Sequence, residues 1–566
     1  MKKYFKKYIH FLLAGSLALG VGGCGDMFDL DINTDPNNPA TADIALLFPT
    51  VQLNLSGLFE GVSQTAMGLT GQLANSDSFG FNSNSFNGTW NSFYQNGMKD
   101  LDEIIKATAA NNPRNLGAAQ VMKAYFMGNF VDLFGDAPYT EAWQGNAAAI
   151  NLNPKFDAGK DIYEDCIKLC DQAVANLAKP GAAIKGDLFY GGDVAKWTTL
   201  ANTVKLRLLI NSRRVRTTAA AEVKAILDGG NILKVAGNDF QFRYNKIVNP
   251  EGRHPWYTAA YTPAADNGFT YILHQPMFDM IDLADPRLPF YFRRQTSVIL
   301  NPNDPTDKST IPCSQAAGCK YAYFPISTFV IKTLFTDKGK TATAADLAYL
   351  AGFFGRDRGD ISGVPQDVNQ RAAPGCYPGA GAYDRATASK TATSGTQGAG
   401  DGIFPMITTW MVKYYQIEAI LTLGYTGDAK ALFEAAMREQ ITKVVNMGLA
   451  SDPNNAKAPD AAAITAYVKI FLDRYDKATT NEAKLNVVLK QAWYSNWGNG
   501  LESYNAFRRT GYPNDIQAPI ARLRNFPLRL PQPGQETSLN KSAPQTPVAF
   551  DRPEAAVFWD VLKFAY

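Results

Sequence analysis

The sequence predicts a mainly α-helical fold, and three observations carry that prediction. Apolar residues recur at intervals of three and four over much of the chain, which is the signature of helices with one buried face. Strands do not alternate with helices, as a doubly wound sheet would require. The composition is that of a globular body, with 46% hydrophobic, 12% aromatic and only 19% charged residues, unlike a disordered chain or a coiled coil. At 566 residues the chain is long enough to bury a large interior without disulfides or a structural metal.

In chain order, Lys2, Lys3, Lys6 and Lys7 precede an apolar run from Ile9 to Val21 that ends in Gly22, Gly23 and Cys24. A basic start, a short greasy core and a small-residue cleavage site read as a secretory signal over residues 1–23. The run is short of the roughly 20 apolar residues a membrane-spanning helix needs. A cysteine directly after Gly-Gly fits a lipoprotein cleavage site, so Cys24 is the expected lipidation residue, and several acyl chains would hold the mature protein on a membrane. Residues 24–40, ending in Asp-Pro-Asn-Asn-Pro, have no helical period and many turn formers, and read as a lipidated tether. A single folded domain is expected over 41–566.

Helical stripes follow. Met122, Tyr125, Phe126, Phe130 and Leu133 form one; Ile162, Cys166, Leu169, Ala173 and Leu177 a second; Trp197, Leu200, Ala201, Val204 and Leu208 a third. Trp410, Tyr414, Ile417 and Leu421 make a fourth and Phe433, Ala436, Met437, Ile441 and Val444 a fifth. The last two are joined by Gly424-Tyr425-Thr426-Gly427-Asp428, with Asp428 expected to cap the second helix, and the pair resembles a tetratricopeptide-like hairpin as well as any other packed pair. Leu485, Val488, Leu489 and Ala492 extend the helical body towards Trp493 and Trp497. Short β-like runs are expected near Phe240 to Tyr244. Residues 363–402, rich in Gly, Ala, Ser, Thr and Pro, form an insertion without period, and Pro527 to Pro533 adds irregular surface.

Charge and rare residues exclude several classes of function. The formal +3 owes four of its charges to the leader; without them 51 basic face 52 acidic side chains, a formal −1 that gives no electrostatic case for nucleic acid. Beyond the leader only His254 and His274 remain, which argues against His-rich metal centres and a Ser-His-Asp triad. Cys313 and Cys319 could close a small loop, whereas Cys166 and Cys170, four apart on a helix, are better read as buried apolar residues. No pair has the doubled spacing of a zinc site.

Few motifs ask for chemistry. Arg358-Gly359-Asp360 spells an adhesion tripeptide too short to mean much, and the glycines from Gly398 to Gly402 lack the Gly-Lys-Ser/Thr that completes a phosphate loop. Glu418, on a mainly apolar helix, reads as a buried carboxylate, either raised in pKa or tying two helices together, the latter preferred. With 52 acidic residues no carboxylate pair stands out for glycoside hydrolysis. We therefore expect no catalytic residue, no metal and no cofactor, and a binding protein rather than an enzyme. Two aromatic stretches suit a flat-ring platform for sugars, or a peptide groove nearly as well. One is Gly80 to Trp90, where Phe81, Asn84 and Phe86 are the candidate ligand residues; the other carries Trp256, Tyr257 and Tyr261. Trp90, with Tyr94, Met98 and Leu101 at helical spacing behind it, is better placed in the core.

An ordered set of segments then resembles the SusD/RagB family of Bacteroidetes outer-membrane lipoproteins, in its SusD-like branch. They are Asp31-Ile-Asn-Thr-Asp-Pro-Asn-Asn-Pro39, Leu133-Phe-Gly-Asp-Ala-Pro-Tyr-Thr-Glu141, Trp197 to Arg207, Asp285-Pro-Arg-Leu-Pro289, Gly355-Arg-Asp-Arg-Gly-Asp360 and Glu502-Ser-Tyr-Asn-Ala-Phe-Arg-Arg-Thr-Gly-Tyr-Pro513. The resemblance implies a SusD-like fold, with tetratricopeptide-like helix pairs packed against a loop-rich irregular half. It also implies a lipid-anchored place at the outer membrane, exposed at the cell surface. There the protein would act in polysaccharide utilisation and nutrient uptake, as the lid of a SusC-like TonB-dependent transporter that captures oligosaccharide or, alternatively, peptide. A secreted glycoside hydrolase is the more distant alternative.

Overall fold

In the computed structural model the described residues are 43–144, 150–262, 272–293, 336, 339–343, 353, 355–359, 372–384, 398–452 and 457–563. The leader, Cys24, the tether and the Cys313 and Cys319 pair lie outside them, as does all of the 363–402 insertion except 372–384 and 398–402.

Helices dominate the described residues, as expected. The first is α1 (Ile44–Leu69), started by Asp43, whose carboxylate accepts the Ala45 amide at 2.9 Å. Then come α2 (Asn87–Ser92), a π-helical segment (Phe93–Met98), α3 (Lys99–Thr108) and α4 (Pro113–Phe134). Next are α5 (Gly159–Leu177), α6 (Val194–Ser212) and α7 (Ala219–Gly229). The first three predicted stripes fall on α4, α5 and α6, and apart from the half-buried Leu169 all their residues are buried. α4 packs against both α5 and α6, and α3 against α4.

The irregular middle holds α8 (Pro255–Tyr261), α9 (His274–Asp282) and α10 (Leu288–Tyr291). Beyond it α11 (Thr409–Leu423) and α12 (Ala429–Ser451) form the predicted hairpin. Gly424 ends α11 at φ +70°, a conformation that costs glycine no steric penalty, and Asp428 caps α12 by accepting the Ala431 amide at 2.9 Å. α13 (Ala461–Lys477), α14 (Asn481–Ser495), α15 (Gly500–Thr510) and the short α16 (Gly534–Leu539) complete the helices. α6 packs on α11 and α1 on α15, so the early and late helices share one core.

Strand content among the described residues is three two-stranded antiparallel ladders. They pair β1 (Ala137–Pro138) with β2 (Phe156–Asp157), β3 (Phe240–Arg243) with β6 (Ile403–Ile407), and β4 (Phe292–Arg293) with β5 (Ala373–Pro374). The β-like run at Phe240 is therefore a strand, with an irregularity between Phe240 and Gln241. Cys166 and Cys170 are buried free thiols whose pKa values burial pushes up, as their helical spacing implied.

The resemblance-bearing segments turn out to be joints of the core. Arg207, fully buried, places Nε 2.5 Å from Glu502 and Nη2 2.8 Å from Asn129 and 3.3 Å from Asp132. Asp132 also accepts from Trp559 Nε1 (2.9 Å), Asn505 (2.9 Å) and Tyr163 (3.1 Å). Glu418 takes both Nε and Nη2 of Arg509 at 2.8 Å and Nη1 of Arg213 at 2.7 Å. Burial pushes the Glu418 carboxyl up, but the two guanidinium groups outweigh it and hold the pKa below its usual value. Glu418 is thus the helix-tying carboxylate. Buried charges so fully paired do little for net stability, yet removing one partner leaves the other stranded, which costs several kcal/mol. Arg358 is likewise buried and donates to the carbonyls of Leu69 (2.5 Å) and Gln517 (2.8 Å), so the tripeptide at 358–360 does not offer its arginine to solvent.

Candidate functional site

Of the predicted ligand residues, the second stretch is not an open platform. Trp256, Tyr257 and Tyr261 lie on α8 and are all buried, at 1%, 3% and 3% exposure. His254 caps α8, its Nδ1 accepting the Trp256 amide at 3.1 Å and its Nε2 lying 3.1 Å from the Ile403 carbonyl. Burial lowers the His254 pKa to about 3, so the ring is neutral. Trp256 then meets the edge of Trp497 at 5.5 Å, and Tyr257 stacks on Tyr261 at 5.4 Å. A sugar needs ring surface open to solvent, and these three rings are covered almost completely. The expectation that they form a ligand platform is corrected accordingly.

The first stretch divides. Phe86 is buried at 5% exposure between Phe81 (5.2 Å) and Phe134 (5.9 Å), and the half-buried Phe81 also packs on Phe550 at 5.9 Å. Phe86 is thus a core residue, correcting its reading as a ligand contact. Asn84 is exposed, but its backbone N–H donates to Asn82 Oδ1 at 2.8 Å and its side-chain oxygen accepts from Asn87 at 3.2 Å, so it serves the local turn.

An accessible aromatic cleft lies one step further along the chain. It has a volume of about 290 Å³ and its walls come from α2, the π-helical segment, α3, the Pro138–Gln144 turn, the Asn151–Pro154 loop and α16. Trp90, Tyr94 and Trp143 supply the rings: Trp90 and Tyr94 lie 5.3 Å apart, and Tyr94 and Trp143 stack at 5.6 Å with planes 24° apart. Asn91, Gln95, Gln144 and Asn151 supply amides, and Glu103, Glu141, Glu536 and Lys99 the charges. The amides and charges can meet hydroxyls while the rings meet C–H faces, the mixed lining that small-ligand sites favour.

Local backbone features build this wall. The extra residue per turn of a π-helix rotates Tyr94 and Gln95 relative to a regular helix, and π segments often mark functional sites. The segment lies tight on α1, since a Cβ on Gly97 would come within 2.4 Å of Leu55 Cδ2. Trp143 has φ +57°, a left-handed conformation that costs a bulky residue about 1–3 kcal/mol and that structure tends to retain where it serves a purpose. Lys123 lies 5.1 Å from the Trp143 ring and 3.1 Å from Asp102, backing the wall with a paired cation. Tyr94 donates to the Pro138 carbonyl at 2.7 Å, fixing its ring.

Sequence reasoning placed Trp90 in the core. It is 3% exposed and packs on Phe130 at 4.9 Å, so the core role stands even though its edge lines the cleft. Trp143 was missed because nothing around it is periodic; its signal was an aromatic following Leu133-Phe-Gly-Asp-Ala-Pro-Tyr-Thr-Glu141. Glu60 was missed too. This carboxylate of α1 is buried beside Gln64 and Trp256, and burial pushes its pKa up to about 7, only partly offset by the Gln64 hydrogen bond (3.1 Å) and Trp256. Among the described residues no group of three or more His, Cys, Asp or Glu could hold a metal ion, and no helix is long and apolar enough to cross a membrane.

Two family patterns match the sequence. One, described as starch-binding and associating with the outer membrane, matches residues 38–308; the other, the SusD and RagB outer membrane lipoproteins, matches residues 367–525. No curated protein matches the chain. Among solved structures, a chitin-binding protein is similar at TM-score 0.64 and 21% identity, covering 92% of this chain and all of the other. A SusD homologue from Bacteroides fragilis is similar at TM-score 0.64 and 18% identity, covering 92% and 99%. A chitin-binding SusD homologue from Flavobacterium johnsoniae follows at TM-score 0.60 and 18% identity, covering 92% and 98%. At these identities the likeness is one of fold.

Proposed function

Because the chain belongs to the SusD/RagB family of outer-membrane lipoproteins, we propose that it is a surface receptor that captures oligosaccharide in the Trp90–Tyr94–Trp143 cleft and delivers it to a SusC-like TonB-dependent transporter. The observation that carries the glycan reading is the cleft itself: stacked rings with accessible edges, ringed by amides and carboxylates. Two chitin-binding proteins of the same fold support that choice of ligand class. On this reading the protein is lipidated at Cys24 and held to the membrane through the 24–40 tether. Its work is binding and gating, without catalysis.

Titration calorimetry of the mature protein against neutral oligosaccharides and against mixed peptides tests the ligand class. Saturable glycan binding that Trp143→Ala weakens is expected; binding of peptides alone would replace glycan with peptide as cargo. Affinity purification from native membranes should bring down a β-barrel transporter, and Cys24→Ala should release the protein from the membrane. A freely soluble wild-type protein without a barrel companion would overturn the receptor-lid reading.

A further inference from the structure

The charges around the cleft are unequal. Three carboxylates line it, Glu103, Glu141 and Glu536, against one ammonium, Lys99. Lys99 makes no ion pair among the described residues, whereas Glu103 is paired with Lys106, which leaves Glu141 and Glu536 facing Lys99. The other nearby lysines are paired: Lys106 bridges to Asp102 (2.9 Å) and Glu103 (3.2 Å), Lys123 to Asp102 (3.1 Å), and Lys155 to Asp157 (3.3 Å).

Each lining carboxylate keeps an oxygen in reserve. Glu141 uses Oε2 for both Asn151 (2.9 Å) and the Lys155 amide (3.0 Å); Glu536 uses Oε1 for Asn540 (2.8 Å); Glu103 uses Oε1 for Lys106. The field these groups set up is felt inside the wall. Tyr94 has its phenol pKa pushed well up, first by burial and then by the negative charges of Glu536 and Asp157.

Resting on the glycan reading above, we propose that this cleft is tuned for amino sugars, accepting a free sugar ammonium at its carboxylate rim and turning away uronate or sulfated glycans. A cationic substituent seated near Glu536 or Glu141 gains Coulomb attraction in a half-enclosed site, where screening by water and salt is weaker than in bulk. A sugar carboxylate in the same place meets more repulsion than attraction, since Lys99 is the single cation of the lining set against Glu141 and Glu536. Neutral N-acetylated rings bind through the aromatic wall alone and fall between.

The test is a titration of the full mature protein, followed by tryptophan fluorescence, with three hexasaccharides matched in length. They are fully deacetylated chitosan hexaose, N-acetylated chitin hexaose and hexagalacturonate, with hexalysine as a cationic control. At low salt the chitosan oligomer should bind about fivefold more tightly than the acetylated one, the size of a weakly screened ion pair, with the galacturonate weakest. Raising salt to 0.5 M should close the gap, and Glu536→Gln should lower the chitosan-to-chitin affinity ratio, with circular dichroism confirming that the variant is folded.

Equal binding of all three sugars, or an unchanged ratio in Glu536→Gln and in Glu141→Gln, would overturn the charge selection and leave the glycan reading standing. Hexalysine binding as tight as chitosan and indifferent to Trp143→Ala would overturn the sugar class in favour of basic peptide. No response to any sugar would bring down both the charge selection and the glycan reading beneath it.

Discussion

Two aromatic regions of this protein have nearly the same composition and opposite fates. Around α8, Trp256, Tyr257 and Tyr261 are turned inward and covered. Around the π-helical segment, Tyr94 and Trp143 stay half-buried and stand at the lip of a cleft. The difference comes from what holds each segment. The α8 rings find partners in Trp497, in one another, and in the Pro374 carbonyl that Tyr261 donates to. Trp143 instead follows a two-residue strand, in a left-handed backbone conformation that turns its ring onto Tyr94. Ring-rich composition therefore shows that a segment has something to pack or stack, without showing which side of the surface it will choose.

The sharpest way to break this comparison is Trp256→Ala. Emptying a buried indole site removes transfer energy and leaves a cavity, so a loss of about 3–5 kcal/mol in unfolding free energy is expected from urea denaturation. A near-silent substitution would return Trp256 to the candidate ligand residues.

The carboxylate under that indole gives the next largest effect. Glu60 has a pKa raised to about 7 in the fold against 4.5 for the free side chain. The native state therefore holds its proton more tightly than the unfolded chain. The favourable contribution is complete below about pH 4.5 and is lost as pH rises to about 7, by about 3 kcal/mol. Glu60→Gln should remove this dependence, making the variant gain on the wild type between pH 5 and pH 8 in the same denaturation assay. Parallel pH profiles for the two proteins would refute the assignment.

On the cleft side, Trp143→Ala should do the reverse of Trp256→Ala. It removes a stacking surface at a half-buried position without opening the core, so stability should change by less than about 1 kcal/mol while glycan affinity falls about tenfold, or 1.4 kcal/mol. If affinity held and stability collapsed, the two regions would exchange roles.

Legibility followed periodicity. Helices α4, α5, α6, α11, α12 and α14 were readable because each repeats apolar residues at helical spacing, and the Asp428 cap was readable because its chemistry is local. Of the ion network, Glu418 was legible as a helix-tying carboxylate, but its arginine partners 91 and more residues away were not, since nothing in sequence pairs Glu418 with Arg213 or Arg509. The cleft was harder still. It is assembled from α2, the 138–144 turn, the 151–154 loop and α16, and its main ring carries no period. Of its rings, helical spacing marks Trp90 and Tyr94, and it marks them for the core.

Asn84 offers the smallest and most discriminating expectation. Amides beside rings suit sugar hydroxyls, which makes Asn84 a candidate beside Phe81 and Phe86, and it is the exposed member of the three. Its side-chain oxygen, however, is taken by Asn87 Nδ2, its backbone N–H by Asn82 Oδ1, and it is not among the residues lining the cleft. An exposed hydrogen bond between two side chains that water can replace is worth little, so Asn84→Ala should shift stability by no more than about 0.5 kcal/mol. Glycan affinity should stay within about twofold of wild type by calorimetry, because the Asn84 side chain lies outside the cleft lining and its backbone N–H bond survives the substitution. A clear loss of affinity with stability intact would extend the binding surface from the cleft back over the 81–86 loop, and would make the boundary between the two aromatic regions run through that loop instead of beside it.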